Sequence, residues 1–303
     1  MDYLEVFEWE PSRVMAEAGG LRERHFGRGV KLCAIVNAKS GRCPEDCAFC
    51  AQSAHHRAHI EVYGLLPPGE ILEAARRAER MGARRFSIVT SGRQLSDREI
   101  DQVARAVELI RRETTLIPCA SLGFLTMGKA RRLRDSGLDR YHHNLETAPS
   151  FFPRICTTHS IEEKLETLLI AKEVGLSVCS GGIIGLGEGR EERLELALKL
   201  KEIGVDSIAL NYFHPIPGTR LGDKKGISPL EFLRSVALFR VVLPDKEIRI
   251  TGGRVYGLRD LQPLVFYFGA NGLMIGNYLT TRGRPPGDDL RMLSDLELEV
   301  VDG

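Results

Sequence analysis

From residue 30 onward, short runs of β-branched residues alternate with longer stretches in which apolar side chains recur every three to four positions, the two kinds separated by Gly, Pro or Asp. A period of two sends successive side chains to opposite faces of a strand, and a period near 3.6 gathers them on one side of a helix. The pattern therefore predicts repeated strand-helix units around a parallel sheet. Eight units can be marked, with strands near residues 31–37, 84–90, 115–121, 139–144, 176–182, 205–211, 247–252 and 271–275. Between them lie amphipathic stretches such as GEILEAARRAERMG, SDREIDQVARAVELIRRET and IEEKLETLLIAKEVG, several of which end in the glycine that a helix C-terminus favours. No composition shift or Ser/Gly-rich linker interrupts residues 30–280, so the eight units predict an α/β fold of the closed (β/α)8 type, a TIM-type barrel, rather than two domains.

Residues 1–29 read as one or two helices, broken at Gly19 and Gly20 and packed outside the barrel. Residues 281–303, with GRPPGDD, read as a turn-rich cap over one end, so that 1–303 is expected to form one barrel domain with two short extensions. The fourth strand has no crossover helix until residue 160, which leaves TAPSFFPRICTTHS as a long loop at the barrel mouth. Long loops in compact folds are often functional.

Composition narrows the partners. Hydrophobic residues at 43% and charged residues at 27% exclude a disordered or fibrous chain. With 42 basic and 41 acidic residues the net charge of +1 gives no electrostatic reason to bind nucleic acid or a membrane surface. Small molecules and other copies of the chain are the expected partners. No apolar run reaches the roughly 18 residues of a membrane span, and the start MDYLEVFEWEPSR is too acidic for a signal peptide. A cytoplasmic protein is expected. Seven cysteines, an odd number, are then poor candidates for a disulfide framework, because the cytosol keeps thiols reduced; metal or redox chemistry takes precedence.

The densest chemical feature is CPEDCAFC, which places Cys43, Cys47 and Cys50 at C-x3-C-x2-C spacing in a loop after the first strand. Such a loop can wrap three thiolates around one inorganic centre. The spacing differs from the C-x2-C-x2-C of bacterial ferredoxins, and no further cysteine follows before residue 119. Three thiolates on a four-iron cluster leave one iron with an open position, which suits a reactant. The alternative is a structural zinc site completed by His55 or His56, since Cys3His is a closed zinc set.

The motif, with an aromatic residue before its last cysteine, resembles that of the radical S-adenosylmethionine superfamily. The surrounding NAKSGRCPEDCAFCAQSAHH is similar to the biotin synthase family within it. DRYHHNLETAPSFF, CSGGIIGLGE, EIRITGGR and ANGLMIGNYLTT resemble segments of that family in the same order, so the likeness spans roughly residues 20–300. It implies that the open iron chelates S-adenosylmethionine and that one electron cleaves the sulfonium to a 5′-deoxyadenosyl radical. The radical then takes hydrogen from two carbons of dethiobiotin, and an auxiliary iron-sulfur cluster gives up the sulfur. It further implies a homodimer and a reductant such as flavodoxin or ferredoxin.

Strand alternation tests whether an auxiliary site has room. With Ile248 and Ile250 facing the helices, Arg249 turns inward; with Leu176 and Val178 outward, Cys179 turns in, and Cys119 and Cys33 follow the same rule. These positions lie on the first, third, fifth and seventh strands, and a barrel layer is built from alternate strands. By resemblance, Cys119, Cys179 and Arg249 match three of the four ligand positions of the family's two-iron cluster, and the fourth is Ser87 here. Cys33 and Cys156 are extra. Cys33, Cys119, Cys156 and Cys179 are therefore expected to hold a four-iron auxiliary cluster, four thiolates being its usual complement, with Arg249 beside it as donor or weak ligand; a two-iron cluster is the alternative. Cys33 and Cys156 as plain buried hydrophobes are the other alternative.

The resemblance also implies ligand contacts. Ile183 and Gly185, in the G-x-I-x-G-x-x-E of SGGIIGLGE, would run beside the adenine. Thr90, Ser91 and Gly92 would meet the methionyl amine, and Lys164 its carboxylate. Asn144 and Glu146 would contact the ribose or the substrate's ureido ring, with His142 also at a substrate position. Thr280 and Thr281 would bind the substrate carboxylate. Asn211 ends the sixth strand, where barrel active sites sit, and its amide can both donate to and accept from a cyclic urea. Three other readings compete: a related radical enzyme without sulfur insertion, of the hydrogenase-cofactor maturase or mutase kind; an iron-sulfur electron carrier; and a zinc-stabilised barrel.

Overall fold

The computed structural model describes residues 2–302. Eight parallel strands close on themselves: β1 (Gly29–Lys39), β2 (Arg85–Thr90), β3 (Ile117–Ser121), β4 (Arg140–His142), β5 (Ser177–Ile184), β6 (Ser207–Tyr212), β7 (Glu247–Ile250) and β8 (Gly272–Met274), with β1 paired to both β2 and β8. Each predicted strand is present within a few residues of its expected place. The helices between them bury one stripe against the sheet; in Asp97–Glu113 it is Ile100, Val103, Ala106, Val107 and Ile110. Ser96 and Ser160 start their helices through reciprocal capping boxes with Glu99 and Glu163. Gly82, Gly137, Gly175 and Gly204, each just past a helix, take the positive φ that ends it.

Strands β5 and β6 approach closely at Gly181. A Cβ on Gly181 would lie 2.0 Å from the carbonyl oxygen of Ala209 on β6, its register partner. Gly181→Ala is therefore expected to cost about 1–3 kcal/mol by forcing the two backbones apart, read as a lower urea midpoint with the slope unchanged.

Both extensions depart from expectation. Gly19 and Gly20 do not break the N-terminal helix: Pro11–Val14, a π-helical Met15–Gly19 and Gly20–Phe26 run on continuously. Gly19 is there for close packing, since a Cβ would stand 2.8 Å from the Tyr267 carbonyl oxygen. The tail is not mere turn but a helix, Pro286–Asp295, followed by a ninth strand, β9 (Glu299–Val301), which pairs parallel with Gly29–Lys31 at the lower end of β1. That helix is anchored by Asp289, whose carboxylate lies 2.5 Å from Arg254, both side chains fully buried. Among the described residues no helix is long and apolar enough to cross a membrane.

Candidate active site

The upper ends of the strands open into one cavity of about 410 Å³, and both groups of cysteines face it. Near the mouth, the loop after β1 carries Cys43, Cys47 and Cys50. The loop is sewn in place by backbone bonds: Cys43 N–H to Gln52 O (3.0 Å), Ala54 N–H to Cys43 O (2.8 Å) and Cys50 N–H to Cys47 O (2.9 Å). Ala48 donates to Ile155 O and Arg57 to Gly218 O, which ties the loop to those after β4 and β6. His55 and His56 are not turned to the triad: their ring N–H groups donate to the carbonyls of Pro44 (2.9 Å) and Cys50 (2.8 Å). Neither histidine forms a metal-sized group with the triad sulfurs among the described residues, which argues against the Cys3His zinc alternative. Burial pushes the Cys43 thiol up and that of Cys50 up to about 11, so the free thiols hold their protons until a metal replaces them.

Deeper in the barrel, Cys33, Cys119, Cys179 and Arg249 share one layer, as strand alternation predicts: Cys33 feels the charges of Arg249, Cys179 and Cys119. Burial raises the Cys33 and Cys119 thiols. Burial would raise Cys179 too, but His142, Arg249 and Arg140 outweigh it and hold that thiol at about 6. Below them lies a charged floor. Glu247 receives Lys31 (2.5 Å), Arg140 (2.7 Å) and Arg249 (2.6 Å), while Arg85 pairs with Asp139 (2.5 Å) and points a second contact at Cys119 Sγ (3.7 Å). Four cations thus stand against two carboxylates around three thiols. Several atoms in and around the floor and the cysteine layer, Ser87 Oγ, Ser207 Oγ, Arg85 Nε and Arg249 Nε, are buried without a partner. An anionic group seated on Cys33, Cys119 and Cys179 would satisfy both the excess charge and the orphan donors, so the residues present fit an iron-sulfur cluster there. The floor residues escaped the sequence reading although strand alternation could have found them: Lys31, Arg140 and Glu247 each precede an inward residue by two positions, and Arg85 precedes Ser87 likewise.

Cys156 is not in that layer. Its sulfur lies 3.7 Å from Cys47 Sγ, 3.2 Å from His159 Nδ1 and 3.1 Å from Asp46 Oδ1. The reason is the turn that carries it: Asp46 accepts the Thr157 amide (2.8 Å) and hydroxyl (2.6 Å), and the Ile155 carbonyl receives Ala48, which docks residues 155–159 onto the triad loop. The four-cysteine auxiliary set is therefore not assembled. Cys47 and Cys156 share a proton, which Cys47 keeps: hydrogen bonding to Cys156 pushes Cys47 up, while Cys156, held by the Cys47 thiol and by His159, falls to about 4.

Of the expected small-molecule contacts, Thr90, Ser91, Gly92, Asn144, Glu146, Lys164 and Ile183 line the cavity, as do His142, Asn211, Thr280 and Thr281. Ser91 Oγ donates to Gly41 O (2.8 Å), and Lys164, itself buried, donates to Asn144 O (3.0 Å). Glu146 has φ +74°, a conformation that costs a non-glycine residue energy and gathers at functional sites. Gly185 is not on the wall. Its amide donates to Glu188 (2.7 Å), which also receives Gly187 N–H (3.0 Å) and the buried Arg193 (2.8 Å), so Gly185 and Glu188 shape the turn beyond Ile183. Asn211 is more committed than expected. Its Oδ1 accepts from Thr251 Oγ1 (2.8 Å) and Gly252 N–H (2.9 Å), and Nδ2 donates to Gly182 O (3.3 Å). One N–H is left for a ligand, so Asn211 can donate to a urea carbonyl but its oxygen already carries two bonds.

A closed parallel barrel whose mouth loop offers three thiols to a ligand-sized chamber is the architecture of the radical S-adenosylmethionine enzymes, and the description "Radical SAM superfamily" matches residues 38–200. "Biotin and Thiamin Synthesis associated domain" matches residues 209–299. The chain is 52% identical over 284 residues to a biotin synthase of Geobacter metallireducens and 54% identical over 284 residues to one of Geobacter sulfurreducens, in each case covering 93% of this chain and 86% of the relative. A biotin synthase of Pelotomaculum thermopropionicum is 54% identical over 279 residues, 92% of this chain and 87% of that one. The chain belongs to the biotin synthase family. Among solved structures, methylornithine synthase superposes with a TM-score of 0.86 at 19% identity, over 99% of this chain and 93% of that one. An FeFe-hydrogenase maturase from Carboxydothermus hydrogenoformans gives 0.84 at 18%, over 99% and 75%. At such identities these two establish the fold alone. Membership implies a four-iron cluster and S-adenosylmethionine, and the donor set of Cys43, Cys47 and Cys50 fits that cluster.

Proposed function

We propose that the protein inserts sulfur into dethiobiotin to form biotin, with S-adenosylmethionine as radical source and a second iron-sulfur cluster as sulfur source. The observation that carries this reading is the pair of cysteine layers in one chamber, one group at the mouth and the other on a cationic floor. When bound, the two clusters and S-adenosylmethionine supply the radical and the sulfur. The chain's own part is to hold and separate the reactants. Cys43, Cys47 and Cys50 would hold the four-iron cluster, and Cys33, Cys119 and Cys179, with Arg249 beside them, the auxiliary one. Ile35, Val89, Ala209 and Met274 give the chamber apolar lining, which keeps water from a reactive intermediate. Lys164 fixes Asn144 through its carbonyl, and Asn211, which lines the chamber, keeps one N–H to offer an acceptor on the substrate. A small flavin or iron-sulfur protein such as flavodoxin or ferredoxin would deliver the electron, and the working unit would be a homodimer.

The test is product analysis. Protein reconstituted with iron and sulfide without oxygen, then given S-adenosylmethionine, reductant and dethiobiotin, is expected to yield biotin together with 5′-deoxyadenosine. Formation of 5′-deoxyadenosine with no sulfur-containing product would favour the radical enzyme without sulfur insertion. No change in the cluster's spectrum on adding S-adenosylmethionine would favour the electron carrier.

A further inference from the structure

Cys156 and His159 lie outside the roles assigned so far, yet the fold buries both and aims them at Cys47. The donor atoms Cys47 Sγ, Cys156 Sγ and His159 Nδ1 all fall within 4.8 Å of one another. A tetrahedral zinc with Zn–S near 2.3 Å and Zn–N near 2.0 Å would need edges of about 3.8 Å between two sulfurs and about 3.5 Å between sulfur and nitrogen. The Cys47–Cys156 and Cys156–His159 separations here are 3.7 and 3.2 Å, close to those edges, and the third, between Cys47 and His159, is within 4.8 Å and closes as the ion draws the two in. The surroundings also favour a cation: Glu45 Oε2 lies 2.5 Å from His159 Nδ1, and Asp46 Oδ1 lies 3.1 Å from Cys156 Sγ. Asp46 is occupied with the amides of Thr157 and Thr158 and orients Cys156.

We propose that Cys47, Cys156 and His159 form a second, mononuclear site for a borderline-soft divalent ion, zinc or ferrous iron, in the chain that has not yet received its clusters. Two thiolates and an imidazole select such ions over magnesium or calcium, and a water fills the fourth position. Because Cys47 serves both this site and the four-iron cluster, the two occupancies exclude each other: a single ion parked here prevents cluster assembly until it leaves. The site goes beyond the sulfur-insertion reading and stands or falls without it.

The full-length, cluster-free protein titrated with cobalt(II), as a coloured stand-in for zinc, tests this. One equivalent per chain is expected, with the visible bands of tetrahedral cobalt and a sulfur-to-cobalt charge-transfer band. The bands should persist in a Cys43→Ala/Cys50→Ala double variant. They should weaken by about a hundredfold in affinity in Cys156→Ser and in His159→Gln, two independent variants whose circular dichroism reports folding. Loss of the bands in the Cys43/Cys50 variant with retention in Cys156→Ser would place the ion on the triad and overturn the proposal, as would absence of any tetrahedral cobalt signal in the unaltered chain. Neither result bears on whether the reconstituted enzyme makes biotin.

Discussion

Cys50→Ala is expected to abolish reductive cleavage of S-adenosylmethionine, with 5′-deoxyadenosine falling by about a thousandfold or more, equivalent to about 4 kcal/mol of barrier lowering. When bound, the cluster would supply the hard chemistry, and Cys43, Cys47 and Cys50 would hold it. Cys50 is one of three thiols at the mouth. The spare sulfur of Cys156 sits against Cys47 and is bonded to Asp46, Cys47, Thr158 and His159. Cys43→Ala should behave like Cys50→Ala. Cys47→Ala should lose less iron than either, because Cys156 stands 3.7 Å from the vacated sulfur. Iron content and 5′-deoxyadenosine by chromatography check the series; equal iron in all three variants and the unaltered chain would contradict it.

Glu247→Gln is the second large effect. Its carboxylate is the common partner of Lys31, Arg140 and Arg249, and the charged ends of Arg140 and Arg249 are buried with it. Removing one member of a buried ionic group leaves the others uncompensated, at a cost of about 3–5 kcal/mol. Burial alone would raise the Glu247 carboxyl, but Arg249, Arg140 and Lys31 outweigh it and hold it well below the usual carboxylate range. A depressed folded-state pKa means that its stabilising term is complete above the ordinary carboxylate value and drains away as pH falls below that value toward the folded one. Urea unfolding of the cluster-free chain should therefore lose stability below about pH 4, and Glu247→Gln should show a smaller acid slope along with its lower midpoint at neutral pH.

Much of this architecture is legible in the sequence because a strand enforces parity. Arg249 and Cys179 alternate with apolar neighbours that must face the helices, and closing eight strands brings Cys33, Cys119, Cys179 and Arg249 to one level. The same rule reaches the floor at Lys31, Arg140 and Glu247. It gives nothing for Cys156, because a loop has no parity; its position depends on Asp46 and on the Ala48 amide, more than a hundred residues away in the chain. Asn211 illustrates a second limit. Its place at the end of β6 is readable, but the two donors that occupy its oxygen, Thr251 and Gly252, follow β7 and arrive only when β6 and β7 pair. The GG pair at 19–20 misleads for a third reason: glycine permits a turn, yet here it permits a close approach to Tyr267 within an unbroken helix.

The ninth strand has a consequence for how the protein is made. On one flank β1 meets β2 only from Cys33 upward, and the stretch below, Gly29–Lys31, is covered by Glu299–Val301. While the chain is being synthesised, that stretch is the last part of the barrel to receive its neighbour. Until it does, a short run of bare peptide groups around Val30 is open to any passing strand; once docked, the hem closes that edge to other copies of the chain.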